Sequence, residues 1–178
     1  MRKVLLSIVA ILAFAISANA VDNVANKTVS VQGKARIITP ITLANTGSQA
    51  LDFGVIARGT TDATIVVAAS ASPSANVATG DAVILTSTAQ TAAKFTVGGE
   101  SGKSYVITIP STIQTITAGG NHLDISNFTC SNITAPATSG TATIGTNDVF
   151  YVGGTLSVPA LAVAASYTGT FSVTVNYN

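Results

Sequence analysis

Every second residue is apolar near the end of the sequence: Phe171, Val173, Val175 and Tyr177 alternate with Thr170, Ser172, Thr174 and Asn176. A period of two puts the two sets on opposite faces of a β-strand. An alternation this regular requires the apolar face to be buried on a core, because a slip of one residue would turn the whole set to water. The predicted strand runs from Tyr167 to Tyr177, and only Asn178 follows to cover its outer edge. It is therefore either the last strand of an ordinary sandwich or an edge that another chain completes by β-augmentation.

The same period recurs upstream. Val29, Val31, Gly33, Ala35 and Ile37 oppose Ser30, Gln32, Lys34, Arg36 and Ile38, which predicts a strand from about Thr28 to Thr39, limited by Pro40. This row is either the first strand of its own domain or a donor strand for a neighbour's groove. Leu51, Phe53 and Val55 alternate with Asp52, Gly54 and Ile56, and Asp62 to Ala69 is a more continuous apolar run suited to a buried strand. Further strands are predicted at Ala82 to Ser87, at Ala93 to Val97 and around Tyr105, Ile107 and Ile109, ending at Pro110. Leu123, Ile125 and Phe128 follow with a change of phase at Asn127, and Val149, Tyr151 and Gly153 lead to Leu156 and Val158. β-Branched residues dominate, as a pleated, half-buried surface favours.

Turn signals fall every eight to twelve residues: Asn45-Thr46-Gly47, Gly59, Thr79-Gly80-Asp81, Gly98 to Gly102, Gly119-Gly120-Asn121, Ser139-Gly140 and Gly153-Gly154. That rhythm produces an antiparallel sandwich or barrel. No segment sustains a 3.6-residue period, and the Ala-rich stretch 160–165 reads as a loop. The chain is all-β, with one domain over residues 21–178, of which 21–38 is the donor or first-strand segment.

Residues 1–20 read as a signal peptide. Arg2 and Lys3 precede an uncharged run from Val4 to Ile16, and Ala18-Asn19-Ala20 fits the small-x-small cleavage rule. The run is too short to cross a hydrocarbon core of ~30 Å comfortably, and no later stretch approaches 18 uncharged apolar residues. The expectation is an exported protein that passes through the periplasm to the cell surface or medium, with no transmembrane span after cleavage.

Without Arg2 and Lys3, six basic residues face seven acidic ones, a formal charge of −1. Scattered so thinly, they form no basic patch, and nucleic acid is excluded as an expected partner. Only 8 % of the chain is charged, against about 25 % in ordinary domains. Ser, Thr, Asn, Gln and Gly must cover most of the surface, which suits faces that meet other protein. The lone Cys130 allows no internal disulfide and reads as a small buried hydrophobe.

Catalytic patterns are missing from the sequence. The single histidine, His122, follows a Gly-Gly-Asn turn, and Asp52, Asp62, Asp81, Asp124 and Asp148 stand singly. There is no calcium loop, no Gly-x-Ser-x-Gly elbow and no phosphate loop around Gly102-Lys103-Ser104. Gly98 to Gly102, which holds the only glutamate, reads as a hairpin turn. No catalytic residue, cofactor or metal is expected.

Four blocks carry a resemblance: Leu51-Asp52-Phe53-Gly54, Phe95-Thr96-Val97-Gly98-Gly99, Gly153-Gly154-Thr155-Leu156-Ser157-Val158-Pro159, and Tyr167-Thr168-Gly169-Thr170-Phe171 through Tyr177. Together they resemble a bacterial secreted domain family of unknown function. The ending is also similar to archaic chaperone–usher pilins and spore-coat-U-like proteins. That similarity implies an incomplete immunoglobulin-like β-sandwich, lent a strand by a periplasmic chaperone and then completed by the next subunit. It also implies that Phe171, Val173, Val175 and Tyr177 engage the chaperone or neighbour, and that an outer-membrane usher takes part. The cysteine pair common in pilins is absent here, and the extension before Val29 is short. The leading expectation is a structural, non-enzymatic subunit of a surface fibre or coat, a homopolymer or one assembled with related subunits. The alternative is a self-contained secreted sandwich that binds a carbohydrate or protein ligand through its loops.

Overall fold

The computed structural model describes residues 28–85, 89–133, 137–145 and 148–178. The signal peptide and residues 21–27 lie outside these. The chain divides into a first unit, Met1–Arg36, and a compact second unit, Ile37–Asn178. In the first unit the described residues, 28–36, form neither strand nor helix and are exposed. The predicted strand from Thr28 to Thr39 is thus corrected: none is present before Thr42 among the described residues. Alternation made the segment competent to be a strand, but among the described residues no strand supplies its ladder.

The second unit is an all-β antiparallel sandwich. Its strands are β1 (Thr42–Asn45), β2 (Val55–Ala57), β3 (Ala63–Val67), β4 (Ala75–Thr79), β5 (Val83–Leu85), β6 (Ala93–Gly98), β7 (Ser104–Thr108), β8 (Gln114–Ala118), β9 (Asn121–Cys130), β10 (Ser139–Thr143), β11 (Asp148–Val158) and β12 (Thr174–Tyr177). The larger sheet is organised on β11. Along one edge β11 pairs first with β6, Phe150 opposite Phe95, and then with β3, Leu156 opposite Ile65. Along the other edge it pairs with β9, Leu156 opposite Ile125. β1 extends the sheet beyond β6, β4 beyond β3 and β8 beyond β9. The smaller sheet runs β10-β7-β12, and β2 and β5 form a separate ribbon.

One core joins the sheets. Ile65, Val67, Phe150 and Val152 from the larger sheet and Tyr105 and Ile107 from the smaller are all fully buried. The Phe95 and Phe150 rings stack at 5.3 Å between centroids. Cys130 is buried and free, and burial raises its thiol pKa, as the reading of a small hydrophobe requires.

Several local patterns differ from expectation for identifiable reasons. Leu51, Phe53 and Val55 do not share a face: Phe53 is buried, but Val55 is exposed and Ile56 packs inward. Gly54, at φ 78°, resets the phase. Asp52 Oδ1 accepts a hydrogen bond from Gly54 N at 2.7 Å, and the Asp52 backbone pairs with Thr91. The Leu-Asp-Phe-Gly block is thus a side-chain-capped turn that sets Phe53 into the core. Gly153-Gly154, expected as a turn, lies inside β11. A Cβ on Gly153 would overlap the Val67 carbonyl oxygen, so glycine is needed there for backbone approach. The phase change at Asn127 is present, with φ 47° inside β9. β1, β4 and β8 have no counterpart in the sequence reading, and Ser139-Gly140 opens a strand rather than forming a turn.

Candidate functional site

β12 is one of the sandwich's edge strands, and the one that carries the regular apolar row. It pairs with β7 on one side, Val175 opposite Ile107 and Tyr177 opposite Tyr105, and ends its sheet on the other. Asn178 N donates to Ser104 O at 3.1 Å. In an antiparallel pair, hydrogen-bonded positions alternate. Asn178, Asn176 and Thr174 therefore direct their peptide groups at β7, and Val175 and Tyr177 direct theirs away. Among the described residues no strand pairs with that edge.

The side chains of this row face inward. Val175 is buried, and Phe171, Val173 and Tyr177 are half-buried against the core. Phe171 lies 5.1 Å from Phe128, centroid to centroid. The alternation from Phe171 to Tyr177 is thus present as expected, while the strand itself is shorter, Thr174–Tyr177, with Thr168 making an isolated bridge to Thr117. Of these four residues only Val175 and Tyr177 lie within β12, where their peptide groups point to its outer edge.

Tyr177 also fastens the start of the domain. Its hydroxyl donates to Thr39 O at 2.7 Å and accepts from Glu100 N at 2.7 Å. Thr39 N and Oγ1 in turn donate to Glu100 Oε2 at 3.4 and 3.3 Å. Both peptide groups of Thr39 are therefore held. Gly99 makes room, since a Cβ there would lie 2.5 Å from the Tyr177 hydroxyl oxygen. The sequence marked Gly98 to Gly102 as a hairpin turn, but its flanking strands β6 and β7 pair in different sheets, so it is a turn between sheets; nothing in its local pattern signals a link to residues 39 and 177, because the contacts span 61 to 138 positions.

The other predicted row has the opposite environment. Val29, Val31 and Ile37 are 80 %, 85 % and 96 % exposed, Ala35 is exposed, and nothing lies within 4 Å of a Cβ built on Gly33. Water-facing apolar residues at every second position are the reverse of what a solvated segment normally shows.

Asp81 accepts from the backbone N and hydroxyl of both Thr60 and Thr61, at 2.7–2.9 Å, and these bonds hold its carboxyl far below the usual carboxylate range. His122 is exposed at the β8–β9 hairpin. Among the described residues no three His, Cys, Asp or Glu side chains group as metal ligands, and no helix is long and apolar enough to cross a membrane. An open cleft lined by Thr108 to Thr112, Gln114, Ser172 and Thr174 lies where the β7–β12 pairing ends.

No curated protein and no solved structure matches the chain. A family pattern does, over residues 41–177, starting beyond the exposed row and ending on the last residue of β12. The chain therefore belongs to the family described as a domain of unknown function, DUF4402.

Proposed function

We propose that the protein is an exported structural subunit of a surface fibre or coat, assembled by strand exchange with copies of itself or related subunits. The supporting observation, among the described residues, is the exposed row Val29, Val31, Gly33, Ala35 and Ile37, an apolar face without a sheet, together with a β12 whose outer edge no strand pairs. Laid along that edge, the row of one subunit would hydrogen-bond to the outward peptide groups of Val175 and Tyr177 in the next. Burying each Val or Ile would contribute about 1.5–3 kcal/mol, enough in sum for a long-lived joint. On this reading residues 1–20 direct export. A periplasmic chaperone covers the β12 edge in transit, and an outer-membrane usher exchanges it for the next subunit.

The test is the assembly state of the purified chain from Val21 onward. The expected result is concentration-dependent polymers that disappear when residues 28–38 are deleted. A chain that stays monomeric at high concentration, with the β12 edge amides already protected from hydrogen exchange, would refute strand exchange.

A further inference from the structure

The clamp around Thr39 has a consequence for the joint, and it rests on the strand-exchange reading. Ile37, the last residue of the donor row, precedes Thr39 by two positions. Ile37 is 96 % exposed, whereas Thr39 is fixed to its own domain through Glu100 and Tyr177. An extended chain advances ~3.3 Å per residue, so Ile37 stands only ~7 Å from the clamp. Within those limits there is no room for a linker. The stem beyond is stiff as well. Thr39 precedes Pro40, whose ring fixes its own φ and holds the preceding residue extended. Two residues later Thr42 is already in register with Gly98.

We infer that successive subunits abut without a flexible linker, and that the clamp end of each domain is a contact surface for the second copy that receives its row. That surface comprises Thr39, the turn from Gly98 to Gly102 and the Tyr177 hydroxyl. Its chemistry suits a weakly charged neighbour: backbone groups, glycines and hydroxyls around one carboxylate, which is already engaged by Thr39. Ser101, at the tip of the turn, is exposed in the single chain and becomes covered when Ile37 is buried in the neighbour.

A thiol at the tip reports this directly. Ser101→Cys in the full-length mature chain is treated with a maleimide, as polymer and as a monomer held apart by an added Val31→Asp. Cys130 is buried and serves as the unreactive background. The expected result is labelling at least tenfold slower in the polymer. Inserting Gly-Ser-Gly-Ser between Ile38 and Thr39 should preserve polymers, restore fast labelling and make the fibres bend several-fold more in electron micrographs. Equal labelling of polymer and monomer, or insertion fibres as straight as the parent's, overturns the abutting joint while leaving strand exchange intact. Failure of the unmodified chain to polymerise overturns strand exchange, and the joint with it.

Discussion

Two rows of the same design meet opposite fates. From Val29 to Ile37 and from Phe171 to Tyr177, apolar residues occupy every second position, yet the first row is exposed and the second packs on the core. The difference lies in what flanks each row. β7 offers the terminal row a ladder and the core a surface, whereas no strand is present among residues 28–41. Alternation therefore encodes the capacity to be a strand; a partner sheet decides whether that capacity is used.

Substituting matched residues gives the strongest contrast. Val175→Asp places a carboxylate where β12 packs on the core and should cost more than about 4 kcal/mol, enough to unfold a marginal domain. Val31→Asp should leave the melting temperature of the isolated domain within error, since substitutions at open surface change stability by about 0.5 kcal/mol or less, while abolishing polymers. Equal thermal effects would break the comparison. Next in size is Gly99→Ala, whose methyl would displace the Tyr177 hydroxyl. A loss of about 1–3 kcal/mol in urea unfolding is expected, and no loss would mean that the terminal row does not depend on its clamp.

Acid should separate the rows in another way. The Asp81 carboxyl is lowered by its four Thr60 and Thr61 bonds. Its contribution to the domain is complete above the unfolded carboxylate pKa of about 3.9 and fades as the pH falls through the depressed folded value. Asp81→Asn should therefore lower the thermal midpoint at pH 7, and the gap should close progressively in acid. The row from Val29 to Ile37 contains no carboxylate, so burial of that row gains no such dependence from its own side chains. The smallest effect concerns Tyr105, whose buried hydroxyl makes no well-formed hydrogen bond among the described residues and has only the Asn132 side chain beside it. Tyr105→Phe should be neutral or raise stability by about 1 kcal/mol, measured as the shift in urea midpoint.

Much of the fold was legible because it is local. The existence of β3, the inward face of the terminal row, the Gly119 hairpin and the phase change at Asn127 all follow from spacing within ten residues. β4 and β8 escaped notice because Ala75–Thr79 and Gln114–Ala118 are edge strands with half-polar faces, which weakens the alternation. Gly153-Gly154 was legible as glycine but not as strand interior, since the reason for it is a carbonyl from Val67 far away in sequence. The candidate site divides in the same way. Both rows could be read directly, whereas the clamp joining Thr39, Glu100 and Tyr177 is wholly non-local and left no pattern.

The position of β11 sets the tempo of folding. β3 and β6 join one sheet only through β11, whose residues pair with partners up to 95 positions earlier, as Val158 does with Ala63. During synthesis most of the chain must therefore exist before its central strand does. Such high contact order makes folding slow, on the scale of milliseconds to seconds, and leaves apolar strands unpaired meanwhile. A chain translocated N-terminus first and cleaved after Ala20 would present residues 21–147 to the new compartment before Asp148 begins the strand that gathers them.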